Sequence, residues 1–394
     1  MDFVIIGLQP WYFEIGSNCK NIARQLSLHH RVLYVNMPLD RNSKTLAKTD
    51  PNIRRHLDII RNKESGLFEI QQNLWNYYPH KILESLNWIP FTPLFSFLCR
   101  LNGRRFAADI RAAADALGFK DYLIFNDNDI FRSFYLKEFL DPKLYIYYSR
   151  DNLLGVPYWK KHGATLEPRH IARADLAVAN STYLADYLHR YNPNSHYIGQ
   201  GCNLDLFDAS ATYPIPEDIK EFPRPIIGYV GAIVSLRIDI DIISEIARTR
   251  PDWSIVLVGP EDEFFSRSAL HGYPNVHFLG RKSISELPAY VARFDVCINP
   301  QLVNEVTIGN YPLKVDEYLA MGKPVVATRT DAMRIFEDYI YTADRPADYP
   351  ALIERALSED NSALSEKRMK FAGTHTWENC VQQLYSAIDK TLAP

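Results

Sequence analysis

Short apolar runs separated by amphipathic segments recur along almost the whole chain, and this alternation limits the fold more than any other feature. In the first half the runs are Phe3–Leu8, Val32–Asn36, Leu123–Asn126, Leu144–Tyr148 and Leu176–Ala179. The second half repeats the pattern with Ile226–Val230, Ser254–Val258, Val276–Leu279, Val296–Asn299 and Pro324–Ala327. Strands that alternate with helices specify parallel α/β sheets covered on both faces. A length of 394 residues predicts two such domains, 1–200 and 226–375. Between them, 201–225 is turn-rich and its YPIPEDIKEFPRP stretch holds four prolines, so it reads as a linker. The final segment, Thr376 to Leu392, reads as a capped amphipathic helix with Trp377, Val381, Leu384, Tyr385 and Ile388 on one side.

Composition narrows the classes of function. With 47% apolar and 23% charged residues the chain reads as a soluble globular protein. A net charge of −3 gives no global attraction for nucleic acid or an anionic membrane, so any such contact needs a local patch. The five cysteines are scattered without metal-ligand spacing, which predicts free thiols in a reducing compartment. The opening MDFVIIGL enters directly as a strand, and no apolar run is long enough to span a bilayer, so a cytoplasmic location is expected. One stretch stands apart. Leu86–Arg105 carries five large aromatic or leucine side chains between Phe91 and Leu98, then Arg100, Arg104 and Arg105. Peripheral membrane contact and core packing both fit this composition.

Tyr311–Arg329, YPLKVDEYLAMGKPVVATR, reads as a loop, a short helix, a glycine stop and a buried strand. Pro312 suits a first helical turn, and Gly322 stands where a helix ending at Met321 needs a left-handed residue. Val315, Tyr318 and Leu319 form the inward stripe, leaving Lys314 and Glu317 together on the other face. A cation in the first turn opposes the helix dipole, so Lys314 either is solvated or meets something negative.

Further polar positions fall at predicted C-terminal strand ends, where open α/β sheets bind ligands. Gly231-Ala232-Ile233 follows one strand, with Arg237 next and a helix beginning near Asp239. The loop PQLVNEVTIGN, residues 300–310, contains Glu305, Gly309 and Asn310. In the first half Gly16-Ser17 precede a helix with Asn18 as its expected cap. Gly7 and Gly16 are too far apart for a dinucleotide fingerprint, which argues against a nicotinamide dehydrogenase. Asp127 and Asp151 sit at two strand ends and suit acceptor contact or proton removal, although either residue type also caps helices. Asp127-Asn128-Asp129 has the D-x-D spacing of some metal sites, yet Asp239-Ile240-Asp241 repeats it, and two aspartates are too few for a hard cation.

Taken together, IIGYVGAI (226–233), WSIVLVGP (253–260), NVHFLGRKSISELPAYVARFDVCINPQ (275–301) and YPLKVDEYLAMGKPVVATR (311–329) resemble the family-4-type glycosyltransferases. NSTYLADYL (180–188), IGQGCNLDLF (198–207) and THTWENCVQQL (374–384) are similar to the segments that close the first domain and form the last helix. Bacterial polysaccharide and teichuronic-acid type transferases show the same overall pattern. The resemblance implies a GT-B fold, with two Rossmann-like doubly wound domains facing across a cleft. The helix 376–394 would cross back to complete the N-terminal, acceptor-binding domain.

The resemblance also implies a function: retaining, metal-independent transfer of a sugar from a UDP- or GDP-sugar to a glycan or lipid-linked hydroxyl. Glu317 matches the glutamate that accepts hydrogen bonds from the donor ribose, and Arg237 stands where the family places a diphosphate-binding lysine. The expected donor-binding positions are therefore Gly16, Gly231, Arg237, Glu305, Gly309, Asn310, Lys314 and Glu317, with Asp127 and Asp151 as catalytic candidates. Two positions depart from the family. Gly309 replaces a glutamate eight residues before Glu317, and Ala232 replaces an arginine. A nucleotide-sugar epimerase or hydrolase on the same fold, or an inactive nucleotide-sugar binding protein, is the alternative.

Overall fold

The computed structural model of the chain describes residues 1–13, 17–43 and 48–393. It divides into two units, Met1–Gly199 with Cys380–Pro394, and Gln200–Asn379.

The first unit is built on an eight-stranded sheet in the order β3 (Leu67–Gln71), β4 (Leu74–Tyr77), β2 (Arg31–Asn36), β1 (Asp2–Gly7), β5 (Leu123–Asp127), β6 (Leu144–Ser149), β7 (Leu176–Ala179) and β8 (Ser195–Tyr197). Strand β1 is buried from Phe3 through Gly7, as expected of an apolar run covered on both faces. It pairs in parallel with β2, Val4 opposite Leu33, and with β5, Val4 opposite Ile124. The antiparallel pair β3–β4 at the edge was not anticipated, because LFEIQ is half polar and carries no apolar run. The helix Asn18–Ser27 is capped by Ser17, whose hydroxyl accepts from the Lys20 N–H. Asn18, the expected cap, is instead the first helical residue and donates to Tyr148 Oη at 3.2 Å.

The second unit holds a six-stranded parallel sheet in the order β11 (Val276–Phe278), β10 (Ser254–Val258), β9 (Ile226–Val230), β12 (Val296–Asn299), β13 (Val325–Thr328) and β14 (Tyr341–Ala343). Alternation along β9 sends Ile226 and Val230 into one core and Ile227 and Tyr229 into another, one on each face of the sheet. The helix Leu313–Ala320 buries Val315, Tyr318 and Leu319 completely and stops at Gly322, whose φ of 69° is left-handed. Residues 201–225 are not a free linker. Phe207 and Ile219 are buried in the core of this unit, because the prolines shape a packed coil rather than a spacer. The last helix, Trp377–Leu392, is capped by Thr376, which accepts from the Asn379 N–H, and from Cys380 onward it groups with the first unit.

Leu86–Arg105 divides between core packing and exposed surface. The helix Thr92–Ala116 buries Phe95, Cys99 and Phe106, whereas Trp88, Phe91, Leu94, Phe97 and Leu101 are exposed. All five cysteines are buried and free. Among the described residues, no helix is long and apolar enough to cross a membrane.

Candidate functional site

In the second unit the strand order reverses at β9, which lies between β10 and β12. The crevice beyond its C-terminal end is where a doubly wound sheet leaves room for a ligand. Gly231 occupies that point with φ 144° and donates its N–H to Val258 O at 2.9 Å. A Cβ at Gly231 would lie 2.8 Å from Tyr229 Oη and 3.2 Å from Lys314 Cε. Glycine is therefore required where Lys314 crosses the turn. Gly259, after β10, has φ 156°, and any Cβ there would collide with the Gly231 carbonyl oxygen. This second glycine was missed by sequence reading, although its place after an apolar strand matches that of Gly231.

The helix Leu313–Ala320 brings Lys314 and Glu317 to this turn. Tyr318 Oη accepts the Val230 N–H at 2.8 Å and so ties the helix to the end of β9. The Lys314 ammonium stands 4.9 Å over the Tyr229 ring, a cation–π contact with its face. Glu317 is partly buried, and its carboxyl is pushed up to about 7, chiefly by burial. Lys314 pulls it down and Asp316 pushes it further up. A partly buried carboxyl shifted in this way beside a lysine marks the helix face as a candidate site.

Arg237 is placed by backbone pairing. Its carbonyl accepts from the Leu302 N–H, the Asp239 N–H donates to Pro300 O, both at 2.9 Å, and Asn304 Nδ2 donates to Leu236 O at 2.8 Å. These bonds zip the loop after β9 to the loop after β12. The Arg237 guanidinium is exposed and forms no ion pair among the described residues. In the same loop Asn304 Oδ1 accepts from the Val306 and Thr307 N–H groups, at 2.8 and 3.0 Å, so it serves the turn and is not available to replace the missing glutamate. Gly309 is buried and Glu305 exposed. Asn310 Oδ1 is buried and finds no hydrogen-bond donor among the described residues.

Asp316 escaped sequence reading because its neighbour Glu317 drew the functional assignment and a carboxylate reads as surface. It is fully buried, accepts from Tyr311 Oη at 2.6 Å and lies 2.7 Å from His375 Nδ1. Burial raises its carboxyl, and His375 and Tyr311 counter that rise. The only sequence signal was the polar THTW stretch before the last helix.

The first unit has its own reversal at β1, flanked by β2 and β5. Asp127 ends β5 without any exposed surface. Its Oδ1 accepts from Arg150 Nε at 2.8 Å and its Oδ2 from the Leu8 N–H at 3.1 Å. Arg150 also reaches Asp151 Oδ2 at 2.6 Å, and the Asp151 side chain is 37% exposed. Asn128, with a left-handed φ of 57°, accepts from the Arg150 and Asp151 N–H groups at 2.8 and 3.1 Å. Asp129 accepts from the Ser133 N–H at 2.6 Å. The D-x-D carboxylates thus serve different partners, and among the described residues no group of three or more His, Cys, Asp or Glu could hold a metal ion. Gly16 lies outside the described residues. A largely apolar cavity lined by Leu86, Phe95, Cys99, Phe131 and Tyr158, about 40 Å³, is too small for a nucleotide.

Residues 224–359 match the family described as glycosyl transferases group 1. The chain is 30% identical over 258 residues to the teichuronic acid biosynthesis glycosyltransferase TuaH of Bacillus subtilis, an alignment covering 61% of this chain and 64% of that protein. The alignment thus spans less than two thirds of that relative. Among solved structures, sucrose-phosphate synthase from Thermosynechococcus elongatus superposes with a TM-score of 0.63 at 18% identity, covering 99% of each chain. HepE of Anabaena in complex with UDP and glucose gives 0.62 at 14% identity, covering 98% of this chain and 99% of that one. At these identities the structural likeness establishes the fold, which is GT-B.

Proposed function

Since the chain has the GT-B fold and its residues 224–359 match the group 1 glycosyl transferases, we propose that it moves a sugar from a nucleoside-diphosphate donor to a hydroxyl acceptor. The observation that carries this reading is the meeting of Gly231, Lys314 and Glu317 at the reversal of the second sheet. Glu317 offers two acceptor oxygens to the ribose hydroxyls once ionised. Gly231 lets the diphosphate approach the backbone. As the bond between the anomeric carbon and the diphosphate oxygen breaks, negative charge grows on the leaving group, and Lys314 and Arg237 stabilise it. Charge neutralisation by these two side chains in place of a metal is part of this reading. Asn310 Oδ1, buried without a donor among the described residues, is suited to a sugar hydroxyl and takes part of the role left open by Gly309.

Retention of configuration requires no protein nucleophile, so none is assigned. In the first unit Asp151, rather than Asp127, is the carboxylate with exposed surface to meet an acceptor. Asp127 holds Arg150 and through it orients Asp151. The acceptor is a glycan or lipid-linked sugar of a cell-envelope polymer, in line with the teichuronic acid role in TuaH's name. UDP is the first nucleotide to test, since HepE holds it.

A thermal-shift screen of UDP, GDP and ADP, followed by product analysis with and without acceptor, tests the proposal. A UDP- or GDP-dependent rise in Tm that Glu317→Ala abolishes, with acceptor-dependent sugar transfer unaffected by chelator, supports it. Free sugar or epimer formed regardless of acceptor would overturn it in favour of an epimerase or hydrolase. Nucleotide binding without any turnover would leave a binding protein.

A further inference from the structure

We propose that the outward face formed by Trp88, Phe91, Leu94, Phe97 and Leu101 seats the chain on the surface of an anionic lipid bilayer. Trp88 is 75% exposed, Phe91 63% and Phe97 62%. Leu94, Phe97 and Leu101 follow helical spacing along Thr92–Ala116, so they form one stripe opposite the inward Phe95 and Cys99. A contiguous exposed stripe of this kind marks an interaction surface, whereas scattered exposed apolar residues do not.

A second segment extends the face. The helix Pro157–Arg173 packs against the first through Thr92 Oγ1 and His162 Nδ1, 3.0 Å apart, and through the Phe95 and His162 rings, stacked at 3.9 Å. Exposed Tyr158, Lys160 and Lys161 are thereby brought alongside, with Lys161 Nζ donating to Asn87 O at 2.6 Å. The Trp88 indole N–H already donates to Ser85 O at 2.8 Å. The ring can enter the headgroup region without leaving a donor unpaired.

Charge selects the partner. Neither 86–108 nor 152–166 contains an aspartate or glutamate, and their basic residues are Arg100, Arg104, Arg105, Lys160 and Lys161, with Arg111 lying beyond. From neighbouring elements Glu138 pairs with Arg100 and Glu84 with Arg105, while Arg104 is exposed and forms no ion pair among the described residues. Two-fold pairing of this face with a second copy would set these cations against the same cations, with no carboxylate in either segment to meet them. An aromatic and leucine face bordered by arginine and lysine fits anionic headgroups over acyl chains. The inference is independent of donor chemistry.

Flotation of the full chain with vesicles of phosphatidylcholine alone, and of phosphatidylcholine mixed with phosphatidylglycerol in about equal parts, tests it. The wild type is expected to float with the anionic vesicles and much less with the neutral ones. The double variant Phe97→Ser, Leu101→Ser should lose at least about tenfold in partitioning. Arg104→Glu should weaken binding at low salt, with the difference shrinking as salt rises. An unchanged Tm checks that each variant folds, and Trp88→Ser replaces the double variant if that one fails. The proposal is overturned if the wild type ignores anionic vesicles or if the variants float equally well. It is also overturned if light scattering shows a dimer that the apolar variants disperse while vesicles capture nothing.

Discussion

Asp316 Oδ1 and His375 Nδ1 lie 2.7 Å apart across 59 residues of sequence, joining the helix that carries Lys314 and Glu317 to the segment before the last helix. Tyr311 Oη completes the group, 2.6 Å from Asp316 Oδ2 and 3.2 Å from His375 Nδ1. The helix Leu313–Ala320 is therefore anchored through a buried carboxylate to Tyr311, which precedes it, and to the segment before the last helix.

His375→Ala should be strongly destabilising, because it leaves Asp316 buried with Tyr311 alone. A loss of about 2–4 kcal/mol is expected, against about 1 kcal/mol for Tyr311→Phe. Urea unfolding measures both. A His375→Ala variant within ~0.5 kcal/mol of wild type would dismiss the buried pair as a stabilising element.

Glu317 should make stability and nucleotide binding respond oppositely to pH. Its folded carboxyl is pushed up from 4.5 to about 7, so the folded chain binds a proton that the unfolded chain has released between those values. That contribution is fully present below about 4.5 and is lost as pH rises through about 7. Glu317→Gln should gain roughly 1–3 kcal/mol relative to wild type at alkaline pH and far less in acid, while nucleotide binding to wild type strengthens as the carboxylate forms. Tm and nucleotide titrations across this range decide the matter. A pH-independent difference between the proteins would refute the assignment.

The contact between Gly259 and the Gly231 carbonyl predicts a contrast between two glycine variants. Gly259→Ala should cost at least about 2 kcal/mol and abolish nucleotide binding, since the turn at Gly231 must move. Gly280→Ala has left-handed backbone at φ 65° but nothing within 4 Å of the added methyl, so about 1 kcal/mol is expected and binding should survive. Equal effects on binding would argue against the close approach as the reason for Gly259.

Asp127 and Asp151 should separate by readout. Asp127→Asn weakens the buried contact with Arg150 and should lower stability by about 2–4 kcal/mol, with activity falling in parallel. Asp151→Asn should leave stability within ~0.5 kcal/mol and reduce kcat at saturating donor. Unchanged turnover in the Asp151 variant would remove it from the acceptor site.

Periodicity and punctuation made most of the architecture legible. The central strands, the glycine stop at Gly322 and the pairing of Lys314 with Glu317 on one helix face follow from local spacing, and the structure has each of them. The strands β3, β4, β8 and β14 were not legible, since they are short or half polar and take their order from the neighbour they pair with. The proline-rich 201–225 was misread for a related reason. Prolines mark where a chain turns, whereas the burial of Phe207 and Ile219 depends on a surface that sequence does not display.

By itself, then, the sequence determined where strands and helices form and which side chains share a local face, because those depend on neighbours within a few positions. Only the tertiary structure decided that Asp316 is a buried partner of His375, that Asp127 is committed to Arg150, that Gly259 makes room for Gly231, and that the Trp88 to Leu101 stripe faces outward. Each of these is a contact or an exposure set by residues far away in the chain. A carboxylate reads the same in sequence whether water or a distant cation will satisfy it, and folding alone makes that choice.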